Sequence, residues 1–404
     1  MKILLVHKYF HLNGGADVFF QKVGSILEEN GHEVAYFSTK SDKNLESKFS
    51  DYFVTAPNFQ SQNPIKKVTS LVKICYSFEA KRKFEQLVKD FNPDIVHLFG
   101  FFTHISVSIL NVTKNYNIPT VLTCNDYKHI CPNYQLFNNN KICEDCRGER
   151  FYSALLNKCA KNSYSYSFAS MIEAYFNKIS NSIPNKIDLF LFASEFMYQK
   201  TKAFWKNYDF SSKIIRNPYD VREFSNIYYD NFILFIGRFV PEKGIDVLLT
   251  AMKYIPSIKL KIVGSGPMKE MLYSIKKSLN LRNVEFLGEL WGAELDHLLS
   301  TCRFSVVPSK WHENYPYVIL HSFEYSKAVI GSNRGGIPEL INNETGIIYD
   351  ADSPADLAEK IKYLFYNKDM YLKLGSNSNK FLRINFSSTK FYTELITAYS
   401  EVMS

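Results

Sequence analysis

No stretch of this sequence approaches the roughly 18–20 consecutive apolar residues that a bilayer-spanning helix needs, so a helical integral membrane protein is excluded. The N-terminus, MKILLVHKYFHLNGG, carries one short apolar run. That run is too short for the apolar region of a secretory leader, and no small-residue cleavage site follows it. The expected location is therefore cytoplasmic, at most peripheral on the inner face of a membrane. Cysteine is scarce, with seven in 404 residues. In a reducing compartment these read as thiols or metal ligands rather than disulfides. Charge is moderate at 22% against 46% apolar residues, which excludes a disordered chain and suits a soluble globular one. What the chain has in quantity is aromatic side chains, at 16%, mostly Tyr and Phe, and a formal net charge of +8. The charge suits an anionic partner such as a nucleotide phosphate or an anionic membrane face; a solvated basic surface is the plain alternative.

The length exceeds the ~250–300 residues at which a single core stops growing, which predicts two domains. KILLV (2–6) is a buried-strand run, Asn13-Gly14-Gly15 punctuates it, and a helical pattern from Ala16 to Glu29 places Val18, Phe19, Val23, Ile26 and Leu27 near a 3.6-residue period. Gly31 ends that helix and EVAYFS (33–38) follows as a strand, giving a βαβ unit and a parallel sheet. The alternation continues with a helix near 77–90, strand 94–98, helix 104–115 and strand 120–124. An irregular stretch, 125–163, precedes a helix 164–181 and strand 189–194. A second series begins at FILFIG (232–237). It runs through strands 259–264, 284–288, 304–309 and 328–332, with helices from Gly244, to Ser278, over 292–301 and over 316–326. Residues 353–404 read as wholly helical. The predicted fold class is α/β: two doubly wound, Rossmann-like domains facing across a cleft, with the ligand beyond the carboxyl ends of the strands. The expected boundaries are 1–212, with a Cys-rich insertion at 124–160, then 213–385, then a terminal helix, 386–404, that crosses back to the first domain.

GRFVPEKG (237–244) sets Arg238 and Lys243 between a strand and a helix start. Unpaired backbone N–H groups and the positive helix dipole at such a terminus suit a diphosphate, and arginine and lysine suit it further. The same two residues on a solvated loop need no ligand. Gly264 and Gly266 in VGSGP form a second strand-to-helix loop, where backbone approaches a ligand or simply makes a tight turn. In WHENYPYVILHSFEYSK (311–327), Pro316 at a first helical position makes Glu313-Asn314-Tyr315 the lead-in loop. Glu313 is then placed to accept sugar hydroxyls, or else is a helix-start carboxylate favoured by the dipole.

GRFVPEKG, VGSGP, the ENYP segment and NRGGIPELI, in this order and at these separations, resemble the retaining glycosyltransferases of family four, with the GT-B fold. NGGAD resembles that family's N-terminal Gly loop, and PTVLTCNDYKHICPNYQLF resembles a stretch found in its polysaccharide-assembling members. The resemblance implies a nucleotide-sugar donor, with Arg238 and Lys243 on the diphosphate, Gly14 and Gly15 beneath it, and Glu313 on the donor sugar. It further implies that Asn314, Tyr315 and Pro316 hold sugar and phosphate through backbone. No metal cofactor is implied for catalysis. Two positions depart from the pattern. His321 stands where the family has a second glutamate on the ribose; a neutral imidazole still offers one donor and one acceptor, and Glu324 lies one turn on, out of register. Asn125, beside Asp126, stands where the family has a histidine near sugar and acceptor; it keeps hydrogen bonding and loses proton transfer.

Cys131, Cys143, Cys146 and Cys159 are spaced C-x11-C-x2-C-x12-C, which suits a structural tetrahedral zinc, the alternative being four unligated thiols. Cys124 and His129 are further candidates. Cys75 and Cys302 read as small buried residues. His97 and His104 line the acceptor side or are structural. The aromatic segment 163–183 and the basic segment 65–84 suit an anionic membrane surface, or pack as core helices. The expected function is transfer of a hexose from a nucleotide sugar to a lipid-linked or oligosaccharide acceptor of a surface polysaccharide, with no nucleic-acid partner. Its rivals are a catalytically impaired relative that binds nucleotide sugar or a partner enzyme, and another GT-B enzyme such as a sugar-nucleotide epimerase. The donor's base and sugar are not legible.

Overall fold

The computed structural model describes residues 1–12, 14–58, 64–180, 182–223 and 228–404, with side chains from residue 68 onward in the helix that begins at Pro64. Asn13 of the N-terminal Gly loop and the first side chains of the basic 65–84 segment thus lie outside the described residues. The chain forms two compact units. One comprises 1–136, 144–217 and 388–404; the other comprises 137–143 and 218–387.

The first unit holds β1 (Lys2–Val6), β2 (Glu33–Phe37), β3 (Ile95–Leu98) and β4 (Thr120–Cys124). After β4 comes a two-stranded hairpin, β5 (Phe137–Asn138) with β6 (Lys141–Ile142), which clusters with the second unit. β7 (Leu189–Phe192) and β8 (Ser212–Ile214) complete a six-stranded parallel sheet of order β2-β1-β3-β4-β7-β8. Its inner strands β1, β3, β4 and β7 are buried and largely apolar, as expected where helices cover both faces. Leu4, Leu5, Val96, Val121 and Phe190 are fully buried.

The second unit holds β9 (Phe232–Ile236), β10 (Lys259–Val263), β11 (Val284–Gly288), β12 (Ser305–Val307), β13 (Val329–Ser332) and β14 (Gly346–Tyr349). Their order is β11-β10-β9-β12-β13-β14, again all parallel. The order reverses between β9 and β12, which is the switch point of a doubly wound sheet. The architecture is thus two Rossmann-like units, as the sequence implies.

Several local expectations change. The helix expected over 104–115 is two, Phe102–Ile105 and Ile109–Asn115. Ser106 adopts φ 76° between them. Its Oγ accepts from the Ser77 amide at 2.9 Å, while Ser108 Oγ donates to the Ser77 carbonyl at 2.9 Å. These serines spend their hydrogen bonds on a neighbouring helix cap instead of a continuous helix. Val18, counted on the apolar face of the helix Gly15–Glu29, is exposed, and the charged Asp17 is buried in its place. The edge strands β8 and β14 and the helix Glu195–Phe204 carry no sequence assignment in the reading above. The helical tail is three helices, Pro354–Tyr366, Lys368–Asn385 and Ser388–Met403, and the last belongs to the first unit.

The four cysteines of the zinc expectation all lie in the 125–163 segment. No disulfide links the seven cysteines, and among the described residues no group of three or more His, Cys, Asp or Glu side chains is arranged to hold a metal ion. Cys131, Cys146 and Cys159 fall in one unit and Cys143 in the other. Burial raises the pKa of the Cys131 thiol. Hydrogen bonds and ion pairs order the 125–163 segment. Lys128 binds Glu173 at 2.7 Å, Tyr208 donates to Glu149 at 2.7 Å, and Asn157 donates to Asp145 at 2.8 Å. His129 is bonded to Thr201 Oγ1 at 2.7 Å.

Candidate functional site

In the second unit, four loops follow the carboxyl ends of β9, β10, β12 and β13 and are stitched together by backbone. The Phe239 amide donates to the Ser265 carbonyl at 2.8 Å, the Lys310 amide to the Glu242 carbonyl at 2.9 Å, and the Gly336 amide to the Glu313 carbonyl at 2.7 Å. Gly264 and Gly266 allow this because a Cβ would lie 2.0 Å from the Gly237 carbonyl oxygen and 2.6 Å from that of Phe239. Gly335 sits at φ +60° with its Cα against the Glu313 backbone; a Cβ there would approach the Glu313 oxygen to 2.2 Å. Backbone geometry thus fixes where Glu313 stands.

The Glu313 side chain is buried and meets Lys243: Nζ to Oε1 is 2.6 Å. Ser309 Oγ donates to the same oxygen at 2.7 Å. Burial by itself would raise the Glu313 pKa, but the Lys243 charge and these donors outweigh it and hold the carboxyl below its ordinary value. Lys243 also lies 5.8 Å from the centre of the Trp311 ring. Arg238, on the same loop, is exposed and forms no ion pair among the described residues. Asn314 is buried, Tyr315 packs its ring against Tyr317 and Phe386, and Pro316 caps the helix Tyr317–Glu324 from one position outside it, not from its first turn.

His321 and Glu324 part company. Glu324 is buried and saturated: it accepts from Tyr219 at 2.7 Å, from the Arg222 amide at 2.9 Å, and from Arg222 Nε and Nη2 at 3.1 Å each. Arg222 continues to Asp296 at 3.1 Å. Glu324 is therefore an anchor for the segment entering the unit, and it has no oxygen to spare for a ribose. His321 rests edge-on against Tyr219, with ring centres 5.6 Å apart, and burial lowers its pKa, so the imidazole is neutral at pH 7. Sequence reasoning missed Ser309 and the Tyr219–Arg222 clamp, since nothing in their spacing marks them.

In the first unit, Gly14 and Gly15 follow β1 at the start of the helix Gly15–Glu29; the Gly14 carbonyl accepts the amides of Asp17 and Val18, each at 3.1 Å. Asp17 also bonds His7 Nε2 at 2.7 Å. Asn125 and Asp126 follow β4, and Asp126 accepts the Lys128 amide at 2.9 Å to cap a short turn. Asp126 lines a cavity of about 530 Å³ with Lys8, Gly100, His104 and Lys128, at the carboxyl ends of β1, β3 and β4. His104 lines it, whereas His97 does not. The His97 nitrogens are both taken, by Tyr399 at 2.6 Å and Thr123 at 2.7 Å, and burial pushes its pKa down to about 3.

The profile of Glycosyltransferase Family 4 matches residues 13–223, more than half of the chain, and that of Glycosyl transferases group 1 matches residues 221–381. The chain is a family 4 glycosyltransferase. Among curated relatives, this family 4 chain is 34% identical over 173 residues to an uncharacterized glycosyltransferase of Methanocaldococcus jannaschii, covering 43% of the chain and 48% of that protein. The match thus spans about half of that relative's length. An uncharacterized 42.6 kDa protein in the cps region of Klebsiella pneumoniae is 25% identical over 93% of the chain and 99% of its own. A solved structure from Anabaena, in complex with UDP-glucose, shares the fold with a TM-score of 0.63 at 16% identity, covering 99% of this chain and 100% of that one.

Proposed function

We propose that this family 4 enzyme transfers a hexose from a nucleotide sugar to a lipid-linked or oligosaccharide acceptor of a surface polysaccharide, with retention of anomeric configuration. The observation that carries the reading is the Lys243–Glu313 pair, a cation and an acid held 2.6 Å apart at the strand ends of the second unit. The Lys243 ammonium has three donors, of which Glu313 takes one, so two remain for a diphosphate, with Arg238 beside it. Glu313 Oε2, which takes neither the Lys243 nor the Ser309 bond, serves a hydroxyl of the donor sugar. His321 serves the ribose as a neutral hydrogen-bonding group. As the anomeric C–O bond to the diphosphate breaks, Arg238 and Lys243 stabilise the charge that develops there. The acceptor hydroxyl forms the new C–O bond on the same face and passes its proton to the departing diphosphate. Neither step calls on a metal ion.

The first unit takes the acceptor, with Asp126 lining its cavity and Asn125 the residue before it. The UDP-glucose complex of the Anabaena protein and the cps-region position of the Klebsiella relative support donor class and pathway class in turn. Among the described residues no helix is long and apolar enough to cross a membrane. Peripheral membrane association draws support from Val68, Val72, Tyr164 and Phe168, exposed on two helices that pack together through Ile74, Cys75 and Ala169. Co-sedimentation with anionic vesicles checks it.

A thermal-shift screen of nucleotide sugars tests the donor reading, since a ligand bound to the native state raises the melting temperature. One nucleotide sugar is expected to stabilise the chain, and Lys243→Met to weaken its binding at least about tenfold. Unchanged affinity in that variant removes the phosphate assignment. His321 and Asn125 favour a second reading, a binding protein without turnover. Slow hydrolysis of the stabilising donor excludes it.

A further inference from the structure

The first-unit cavity carries an inference that deepens, and rests on, the proposal that this unit takes the acceptor. Three lysines line it: Lys8 after β1, Lys128 after β4, and Lys161 just before the helix Tyr164–Ile179. Lys128 is charge-paired, with Glu173 at 2.7 Å, and also donates to the Pro132 carbonyl at 2.9 Å. Glu173, buried in mid-helix, is held by Lys128 and by Thr103 Oγ1 at 3.1 Å, so these two charges cancel. Lys8 and Lys161 form no ion pair among the described residues. Each ammonium lies near a tyrosine ring instead, Lys8 at 5.5 Å from the centre of Tyr9 and Lys161 at 4.5 Å from that of Tyr166. A ring face attracts the cation but engages none of its donors as a carboxylate would. The cavity's remaining acid is Asp126.

Two ammonium groups therefore stand against one carboxylate in a partly enclosed space. His104 reports the same imbalance. Burial, and then the neighbouring Lys8, His7, Lys128 and Lys161, lower its pKa to about 4. Neutral polar groups complete the lining, Asn58, Thr103 and Asn133 among them, and suit sugar hydroxyls.

We infer that the acceptor bears an anionic group, a carboxylate or a phosphate, that seats against Lys8 and Lys161 in this cavity while its sugar ring meets the neutral polar wall. Lys8 is half-buried and Lys161 exposed, and a neutral acceptor offers neither a counter-charge, so it forgoes an attraction that an anionic acceptor gains.

Calorimetric titration of the full chain with two matched pairs tests this and separates the sources: methyl β-glucuronide against methyl β-glucoside, and glucose 6-phosphate against glucose. The anionic member of one pair is expected to bind about tenfold tighter, by a margin that shrinks as salt is added. Lys8→Gln and Lys161→Gln are each expected to bring the two members of that pair close to equal. Their melting response to the nucleotide-sugar panel stays as in the unsubstituted chain, which keeps a failure here apart from a failure of the transferase reading. Equal binding within both pairs, binding by none of the four, or a preference that survives both substitutions overturns the inference.

Discussion

Glu313 keeps its negative charge although buried, because Lys243 and Ser309 meet it. Its folded pKa is depressed, whereas the unfolded value lies near ~4.3. Its contribution to stability is therefore present above that unfolded pKa and lost as pH falls through the folded one. Glu313→Gln is expected to cost about 1–3 kcal/mol at pH 7 and progressively less on acidification, as chemical denaturation at a series of pH values measures. A cost that stays constant down to pH 3 contradicts the pairing. His321 was recognisable from the sequence as the odd residue at its position. That Glu324 is already occupied was not, because the clamp on it comes from Tyr219 and Arg222, about a hundred residues away in the chain.

At the scale of elements, the site is a set of loops whose approach is limited by backbone contact. The glycines of VGSGP and NRGGIP were visible in the sequence, but which backbone each one meets was not. Gly335 combines φ +60° with a hard contact to Glu313. Gly335→Ala is thus expected to shift the Glu313 loop, lowering donor affinity by about tenfold or more and destabilising the second unit by at least about 1 kcal/mol. Gly31 shares a positive φ of 81° but has nothing within 4 Å. Gly31→Ala is expected to pay only the conformational cost and leave donor affinity untouched. Thermal melts with and without donor compare the two. Element types were largely legible because long apolar runs and 3.6-residue periods specify them. The break at Ser106 was not, because its cause is a hydrogen bond to Ser77, a partner that no local pattern names.

At the scale of the molecule, the last helix, Ser388–Met403, completes the first unit through Phe391, Leu395, Ala398 and Tyr399, all buried. The Tyr399 hydroxyl meets His97 within that core at 2.6 Å. Tyr399→Phe strands the His97 nitrogen and is expected to destabilise the first unit by about 1–2 kcal/mol. His97 is buried and His129 half-buried, and desolvation pushes the pKa of each down to about 3, while the unfolded value is near ~6.5. The unfolded chain thus binds more protons than the folded one below pH ~6.5. Melting temperature is expected to fall as pH is lowered from 7 to 4, and less steeply in a His97→Gln variant.

The sequence by itself determined that there are two parallel α/β units, which loops carry the cation and the acid, and which two positions depart from the family's pattern. These follow from periodicity, punctuation and order along the chain, all of which are local. Tertiary structure alone decided that Lys243 pairs with Glu313, that Glu324 is spent on an anchor, and that among the described residues the cysteines form no metal-holding group and Lys8 and Lys161 form no ion pair. Each of these depends on which distant side chain satisfies a buried polar group, and spacing along a chain does not encode that.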